Sequence, residues 1–431
     1  MHVSITAGEI AAGDDADRPG TLRIDHYGRV LKLECREGLK DIEALKQEWM
    51  ALETRCPEPF TYFQSFDWCM AWARAFLAGD ASSSMRPQIY VLWEGIQCLM
   101  IWPLMARRVS PAIRLLVPLT APMNQYASLL HDAAGFDLAL GRAVFDAIRS
   151  HSEHDAVCLD HVPQSALLAR ILEGQGFAPA GEGKSSILDL TGIADWESHH
   201  GALPKKQRLQ RNSRRNRLEK LGTLDYRVLT PESEGYAAYL DRCLAMKQDW
   251  LKGTGRLGRD VFDPRFAALL RNLGHVQGQE EGRVFLHALT LDGAPIAMEL
   301  GMRFRQDYYC FIGAIDLAYQ KHSPGKVQME SAQRWAIDTG IHRFDFLNDP
   351  STYKSSWTNT TESLTAFYIP HTRIGRLYCR HWKAGLRPRL RALYDGVGPG
   401  WRMRLRGAIN TLQRFAGRNG GSMGLVLLCI P

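Results

Sequence analysis

What this chain lacks narrows its class before any motif is read. No stretch approaches the roughly 18 consecutive apolar residues of a bilayer-crossing helix; the nearest, Gly424 to Ile430, is far shorter. The nine cysteines (Cys35, Cys56, Cys69, Cys98, Cys158, Cys243, Cys310, Cys379 and Cys429) form no CxxC pair and no Cys/His metal spacing. Odd in number and mostly set in apolar runs, they argue against a disulfide framework or zinc module and for reduced thiols in a cytoplasmic protein. No metal is expected. The opening MHVSITAGEIAAGDDADRPG lacks a basic stretch followed by an apolar run, so no secretory signal is expected and residues 1–25 read as a disordered leader.

An apolar fraction of 45% and a charged fraction of 23% lie near the globular average, which excludes global disorder. The 431 residues are too many for one ordinary core, and two domains of roughly 150 to 180 residues are expected. The net charge of +7 is concentrated around 205–220 and beyond 371, so where it sits bears on partners more than its total.

From Arg29 to Glu53 the pattern gives a strand, then a helix with Ile42, Leu45, Trp49 and Leu52 at helical spacing. After Pro57-Glu58-Pro59, Ser65 caps an aromatic helix carrying Trp68, Trp72 and Phe76. Strands Gln88–Trp93 and Gln97–Met105 flank the turn Glu94-Gly95-Ile96. Ile113–Leu116 and Gln125–Leu130 read as strand or loop, Phe136–Ser150 as helix, Ala156–Leu159 as a buried strand, and Ser165–Gln175 as helix. Ser186–Leu190 is a strand leading to a helix with Trp196.

The second half opens on a basic helix, Leu203–Leu221, in which eight lysines and arginines stand against Glu219 alone. Strand Leu224–Leu229, helices Glu232–Trp250 and Asp263–Asn272, and strands Val284–Leu291 and Ala294–Phe304 around Asp292-Gly293 follow. Then comes the unit that organises the chain: strand Tyr308–Ile315, a polar loop, Ser323-Pro324-Gly325-Lys326 opening a helix to Thr339, and strand Arg343–Leu347. Strand, anion-friendly loop, helix and strand can hold a phosphate-bearing cofactor at the helix start. The order repeats that of the first half, which points to a duplicated unit. Beyond His371 arginines interleave with Leu377, Trp382, Leu386, Leu390, Leu393, Trp401 and Phe415, against Asp395 as the one acid, giving basic amphipathic helices.

Phe63-Gln64-Ser65-Phe66-Asp67-Trp68 with Trp72, the arginine helix, Trp250, the hairpin LTLDGAPIAMEL, Ser323-Pro324-Gly325, and Phe344-Asp345-Phe346-Leu347 followed by Tyr353-Lys354 and Trp357 form an ordered set. In that set the chain resembles the FemAB-like branch of the GNAT acyltransferase superfamily, most closely the CelD-like acetyltransferases linked to cellulose or exopolysaccharide biosynthesis. The resemblance covers roughly residues 30 to 370. It departs at Asn348-Asp349-Pro350, where members often carry Gly.

The resemblance implies an α/β fold with a mixed sheet, tandem GNAT-like domains in a FemAB-like arrangement and a basic helical C-terminal tail. The expected boundaries are 26–190 and 191–370 for the domains and 371–431 for the tail. It also implies an acyl group, acetyl in the first place, passed from acyl-CoA or acyl-carrier pantetheine to an amine or hydroxyl on a small-molecule, glycan or lipid acceptor. The first domain, with no loop like Ser-Pro-Gly-Lys before its helix, is expected to be a degenerate copy that shapes the acceptor site.

Ser323, Gly325 and Lys326 are the candidate phosphate cradle, against the plain reading of a helix cap. The donor would lie along Tyr309, Phe311 and Gly313. Asp345, between aromatics, is the first candidate base for the attacking group, or else a structural acceptor of backbone N–H groups; Glu299 is the second. Tyr353 would serve the leaving thiol and Lys354 the donor phosphates, against an anchored surface loop. His287 and His322, each isolated, read as structural. Arg211, Arg214 and Arg215, with Trp250 nearby in the order of elements, are either a solvated face, a site for an anionic donor or acceptor, or, in third place, a transfer RNA surface. The tail suits an anionic membrane surface or a helical cover on the second domain. An aminoacyl transferase using charged transfer RNA and a non-catalytic scaffold of polysaccharide machinery are the competing functions.

Overall fold

The computed structural model describes residues 4–6, 21–78, 84–256, 258–275, 284–348, 354, 356–398 and 400–402. Two units divide these residues. The first holds the described residues up to Gly183 together with Ser363–Leu393, and the second holds Lys184–Glu362 with the described residues from Tyr394 onward.

In the first unit, Leu22 and Ile24 alternate inward from strand β2 (Leu22–His26), which pairs antiparallel with β1 (Ser4–Thr6). Most of the expected leader over 1–25 lies outside the described residues; at its end Leu22 and Ile24 belong to β2 and are buried by its apolar alternation. β3 (Arg29–Arg36) follows, then two helices, α1 (Leu39–Ala44) and α2 (Lys46–Arg55), where one was expected, with Ile42, Trp49 and Leu52 buried. α3 (Phe66–Phe76) starts under Ser65, whose hydroxyl accepts from the Trp68 N–H at 3.3 Å, a cap worth about 1 kcal/mol. It buries Trp68, Trp72 and Phe76 as the spacing predicts, each such side chain stabilising by about 1.5–3 kcal/mol.

Strands β4 (Met85–Glu94) and β5 (Gln97–Ser110) form the expected hairpin, and β6 (Ile113–Pro118) continues it antiparallel. Most of Gln125–Leu130 is not strand; only β7 (Leu130–His131) pairs, with β5. Helix α4 (Leu138–Ser150) then crosses to β8 (Ala156–Pro163), which runs parallel to β6 for only two rungs, Leu115↔Ala156 and Leu116↔Val157. After α5 (Leu167–Gly174), the far edge of β8 is taken antiparallel by β15 (Thr360–Pro370), a strand the sequence pattern did not signal.

The second unit repeats this plan. β9 (Gly181–Asp189), α6 (Trp196–Ala202) and the basic helix α7 (Lys205–Glu219) lead to β10 (Leu224–Leu229) and helices α8 (Tyr236–Thr254) and α9 (Pro264–Asn272). The strands β11 (Val284–Leu291), β12 (Ala294–Phe304) and β13 (Asp307–Ile315) form an antiparallel meander with β10. α10 (Pro324–Asp338) crosses to β14 (Arg343–Asn348), parallel to β13 for three rungs and antiparallel to β9 on its other side. Each unit therefore carries a Gly-turned hairpin, a third antiparallel strand, a helix and a short parallel pairing.

The basic segment after β15 is helical, through α11 (Arg373–Leu377), a π-helical stretch Tyr378–Leu386 and α12 (Arg387–Gly396). Among the described residues no helix is long and apolar enough to cross a membrane.

Candidate active site

The parallel pairing of β13 with β14 stops at Tyr309↔Asp345. Beyond it, Cys310–Ile315 keeps β12 on one side only, so the two parallel strands part in mid-sheet. Directly opposite Gly313 on β12 is Glu299, and opposite Glu299 on β11 is His287. Residues opposite each other across antiparallel strands share a face, so Glu299 points to the side where Gly313 leaves room.

Glu299 is buried, and the Tyr308 hydroxyl donates to its Oε1 at 3.0 Å. Burial pushes its carboxyl above the ordinary value, against the lowering pull of Cys310, Tyr308, Gln328 and Lys354. Tyr308 reaches it only because position 301 is Gly: a Cβ there would overlap the tyrosine ring and hydroxyl. A register shift between Leu300 and Gly301 sets this geometry. His287 is fully buried, its Nδ1 2.6 Å from the Tyr226 hydroxyl, and burial takes its pKa down to about 3, so the ring is neutral.

Asp345 lies across a bulge between β14 and β9. Its Oδ1 accepts from the Ser185 hydroxyl at 2.6 Å and from the Leu347 N–H at 2.7 Å, bracing Leu347 at φ +62°. Tyr309 is buried, its hydroxyl 3.5 Å from Asp307. Phe311 packs near Phe266 of α9. Lys354 is buried and donates to the Phe346 carbonyl at 2.6 Å. Tyr353 falls outside the described residues.

α10 begins at Pro324 with Ser323 at φ +58°, and the serine side chain makes no capping bond. Pro324 has no N–H and the Lys326 N–H donates to the Ser323 carbonyl at 3.1 Å, so of the first turn it is the Gly325 N–H that the serine side chain leaves uncapped. Gly325 packs against the end of β13, where a Cβ would lie 2.9 Å from Ile315 Cγ2. Lys326 stands beside this turn, its pKa lowered by burial and then by Arg214 of α7. A helix start carrying the Gly325 N–H, the positive end of the helix dipole and the cations Lys326 and Arg214 has the chemistry that receives a phosphate, and these residues fit a phosphate group of a coenzyme A.

Farther along α10, Arg215 donates to the Ser331 hydroxyl at 3.1 Å. Arg211 is only 4% exposed, its guanidinium 4.0 Å above the Trp357 ring, and its Nη1 makes no hydrogen bond among the described residues. Trp250 on α8 is flanked by Lys247 and Arg256, and Lys247 also donates to the Gly313 carbonyl at 3.1 Å. Among the described residues no group of three or more His, Cys, Asp or Glu side chains could hold a metal ion.

The structure therefore gathers Glu299 and Gly313 at the parting strands, and Ser323, Gly325, Lys326 and Arg214 at the helix start. It sets Asp345, Tyr309 and Phe311 in other surroundings. The sequence reading missed Tyr308, Gln328 and Gly301; a glycine inside an otherwise apolar strand was the one available signal for close approach.

Residues 205–355 match the family described as Acetyltransferase (GNAT) domain. Among solved structures the chain is similar to FemX, at 13% identity and TM-score 0.56, over 78% of this chain and 98% of that one. It is also similar to L-PGS from Bacillus licheniformis, at 12% identity and TM-score 0.44 over 78% and 95% of the two chains. A tandem GNAT protein from the clavulanic acid biosynthesis pathway aligns at 10% identity and TM-score 0.45 over 78% and 98%. No curated protein matches the chain. The fold is α/β with tandem GNAT-like units, and the stretch that matches the acetyltransferase family lies in the second unit.

Proposed function

We propose that this protein is an acyltransferase that moves an acyl group, acetyl in the simplest case, from coenzyme A or a carrier pantetheine to an amine or hydroxyl. The observation that carries the reading is the buried Glu299 opposite Gly313 where β13 and β14 part. A desolvated carboxyl with a raised pKa is a stronger proton acceptor than an ordinary carboxylate.

In the proposed step the donor phosphates rest on the start of α10 with Lys326 and Arg214, and the thioester lies along Gly313. Glu299 accepts the proton of the attacking group as its nitrogen or oxygen bonds to the acyl carbon. Backbone N–H groups of β13 beyond Tyr309 stabilise the oxyanion. The C–S bond then breaks, and the leaving thiolate takes a proton, for which Tyr353 is our candidate donor. Tyr308 orients Glu299. Asp345 serves as a brace for the bulge, and Lys354 supports the inner face of β14. Arg211 and Arg215 are candidates for an anionic group of the acceptor, because a buried, incompletely bonded guanidinium favours one.

A polysaccharide or envelope acceptor rests on the resemblance to the CelD-like group. The exposed cations of α7, including Lys205, Lys206 and Arg217, favour a second reading, a donor aminoacyl-transfer RNA. Titration with coenzyme A, acetyl-coenzyme A and transfer RNA separates them. Saturable thioester binding that is lost in Gly325→Glu supports our reading; absence of any thioester binding overturns it, and tight transfer RNA binding in its place selects the second.

A further inference from the structure

Outside the donor site the strongest unused feature is the stretch Arg373–Leu393 of the first unit, RIGRLYCRHWKAGLRPRLRAL. Its six arginines and Lys383, with no acid, give +7, as much as the formal net charge of the whole chain. Among the described residues eleven large apolar side chains are exposed, and four of them fall here: Ile374 47%, Leu377 60%, Leu386 49% and Leu393 68%.

One side of this helical stretch is fixed to its unit. The Thr372 hydroxyl donates to Asp155 at 2.7 Å, and Gly375 lies so close to the Asp155 carbonyl that a Cβ would overlap it. Cys379 is buried. Lys383 reaches Asp160 at 2.7 Å, and Asp160 also accepts from the Tyr368 hydroxyl at 2.6 Å. With that side anchored, the exposed leucines cannot turn inward. Between them the exposed Arg373, Arg376, Arg380 and Arg389 make no ion pair among the described residues.

We propose that this outer face docks the protein on an anionic lipid surface. A merely solvated helix has no use for four exposed large apolar side chains, and a polyanion such as nucleic acid would engage the arginines alone. Leucines that enter the acyl boundary while arginines meet anionic headgroups use both features at once. The inference does not depend on the acyl-transfer reading.

The test is flotation of the full-length protein with phosphatidylcholine vesicles, with and without phosphatidylglycerol. Binding is expected only to the anionic vesicles, and it should weaken as salt rises. Each surface cation contributes roughly a 5-fold gain in partitioning. The triple variant Arg376→Glu, Arg380→Glu, Arg389→Glu should therefore fall on the order of 100-fold or more. Leu377→Glu and Leu393→Glu should each weaken binding at low salt, with far-UV circular dichroism unchanged. Equal binding to both vesicle types, or wild-type binding by the triple variant, overturns the proposal. So does a Leu377→Glu variant that loses a self-association while its vesicle binding stays as before, because the face would then belong to a second copy of the chain.

Discussion

At the scale of single residues, two carboxylates of similar sequence context separate cleanly. Glu299 sits in a buried setting that raises its pKa, with burial as the leading cause. If it is the base, Glu299→Gln should cut turnover roughly 100- to 10,000-fold, with the dissociation constant for acetyl-coenzyme A unchanged; wild-type turnover would remove it from the role. The raised pKa also fixes a sign. In the window between its ordinary carboxylate value and its value in the fold, the folded state holds a proton that the unfolded chain has released. Stability is therefore fullest below the unfolded value and declines as pH rises through the folded one. Urea titrations across pH should show that decline in the wild type and lose it in Glu299→Gln. Asp345 predicts the opposite division. Bound by Ser185 and the Leu347 N–H, Asp345→Ala should cost about 1–3 kcal/mol of unfolding free energy. The activity of the remaining folded protein should change far less than in Glu299→Gln.

At the scale of elements, the hairpin β12–β13 is where backbone register becomes chemistry. Its shift at Leu300/Gly301 lets Tyr308 cross over Gly301 to Glu299. Gly301→Ala places a methyl group where the tyrosine lies, so it should destabilise by about 1–3 kcal/mol and lower the affinity of Glu299 for its tyrosine. The check is a urea melt together with a shifted pH–rate profile. Gly293→Ala in the turn of β11 and β12, with φ +81°, should be strained without moving that profile. Much of this was readable in the sequence. β10, β11 and β12 fall where apolar alternation and Asp292-Gly293 place them, and Ser-Pro-Gly-Lys marks the start of α10 because its residues punctuate helices locally. The partners of Glu299 were not readable. Tyr308 reaches it through a register shift, and Gln328 influences it through the rotation of α10; both are set by packing between distant segments. β15 was missed for a similar reason: Thr360–Glu362 opens it with polar residues, and its pairing partner β8 lies some two hundred positions earlier.

At the scale of the whole molecule, the repeated plan makes a difference between the units informative. Both place a helix after their third meander strand, and in both the next strand runs parallel for only two or three rungs. The helix starts differ. In the first unit Asp137 caps α4, its carboxylate accepting from the Leu140 N–H at 2.8 Å. An anionic group already occupies that helix start, and a second anion would meet both its charge and a donor already in use. In the second unit Ser323 makes no such bond, and Lys326 and Arg214 add positive charge. The donor should therefore bind once per chain, at the second unit. Calorimetric titration with coenzyme A should give a stoichiometry of one, and Lys326→Glu should abolish that single site. Hydrogen exchange with coenzyme A bound should slow at the first turn of α10 and along β13, and leave the first turn of α4 at its free rate. A stoichiometry of two, or protection at α4, would mean that the repeated plan outweighs the charge at the helix start and that the first unit also holds a donor. Asp137→Ala tests the same argument from the other side: it removes both the charge and the acceptor that occupies the Leu140 N–H, and is expected to admit an anion there if the carboxylate is what closes the first unit.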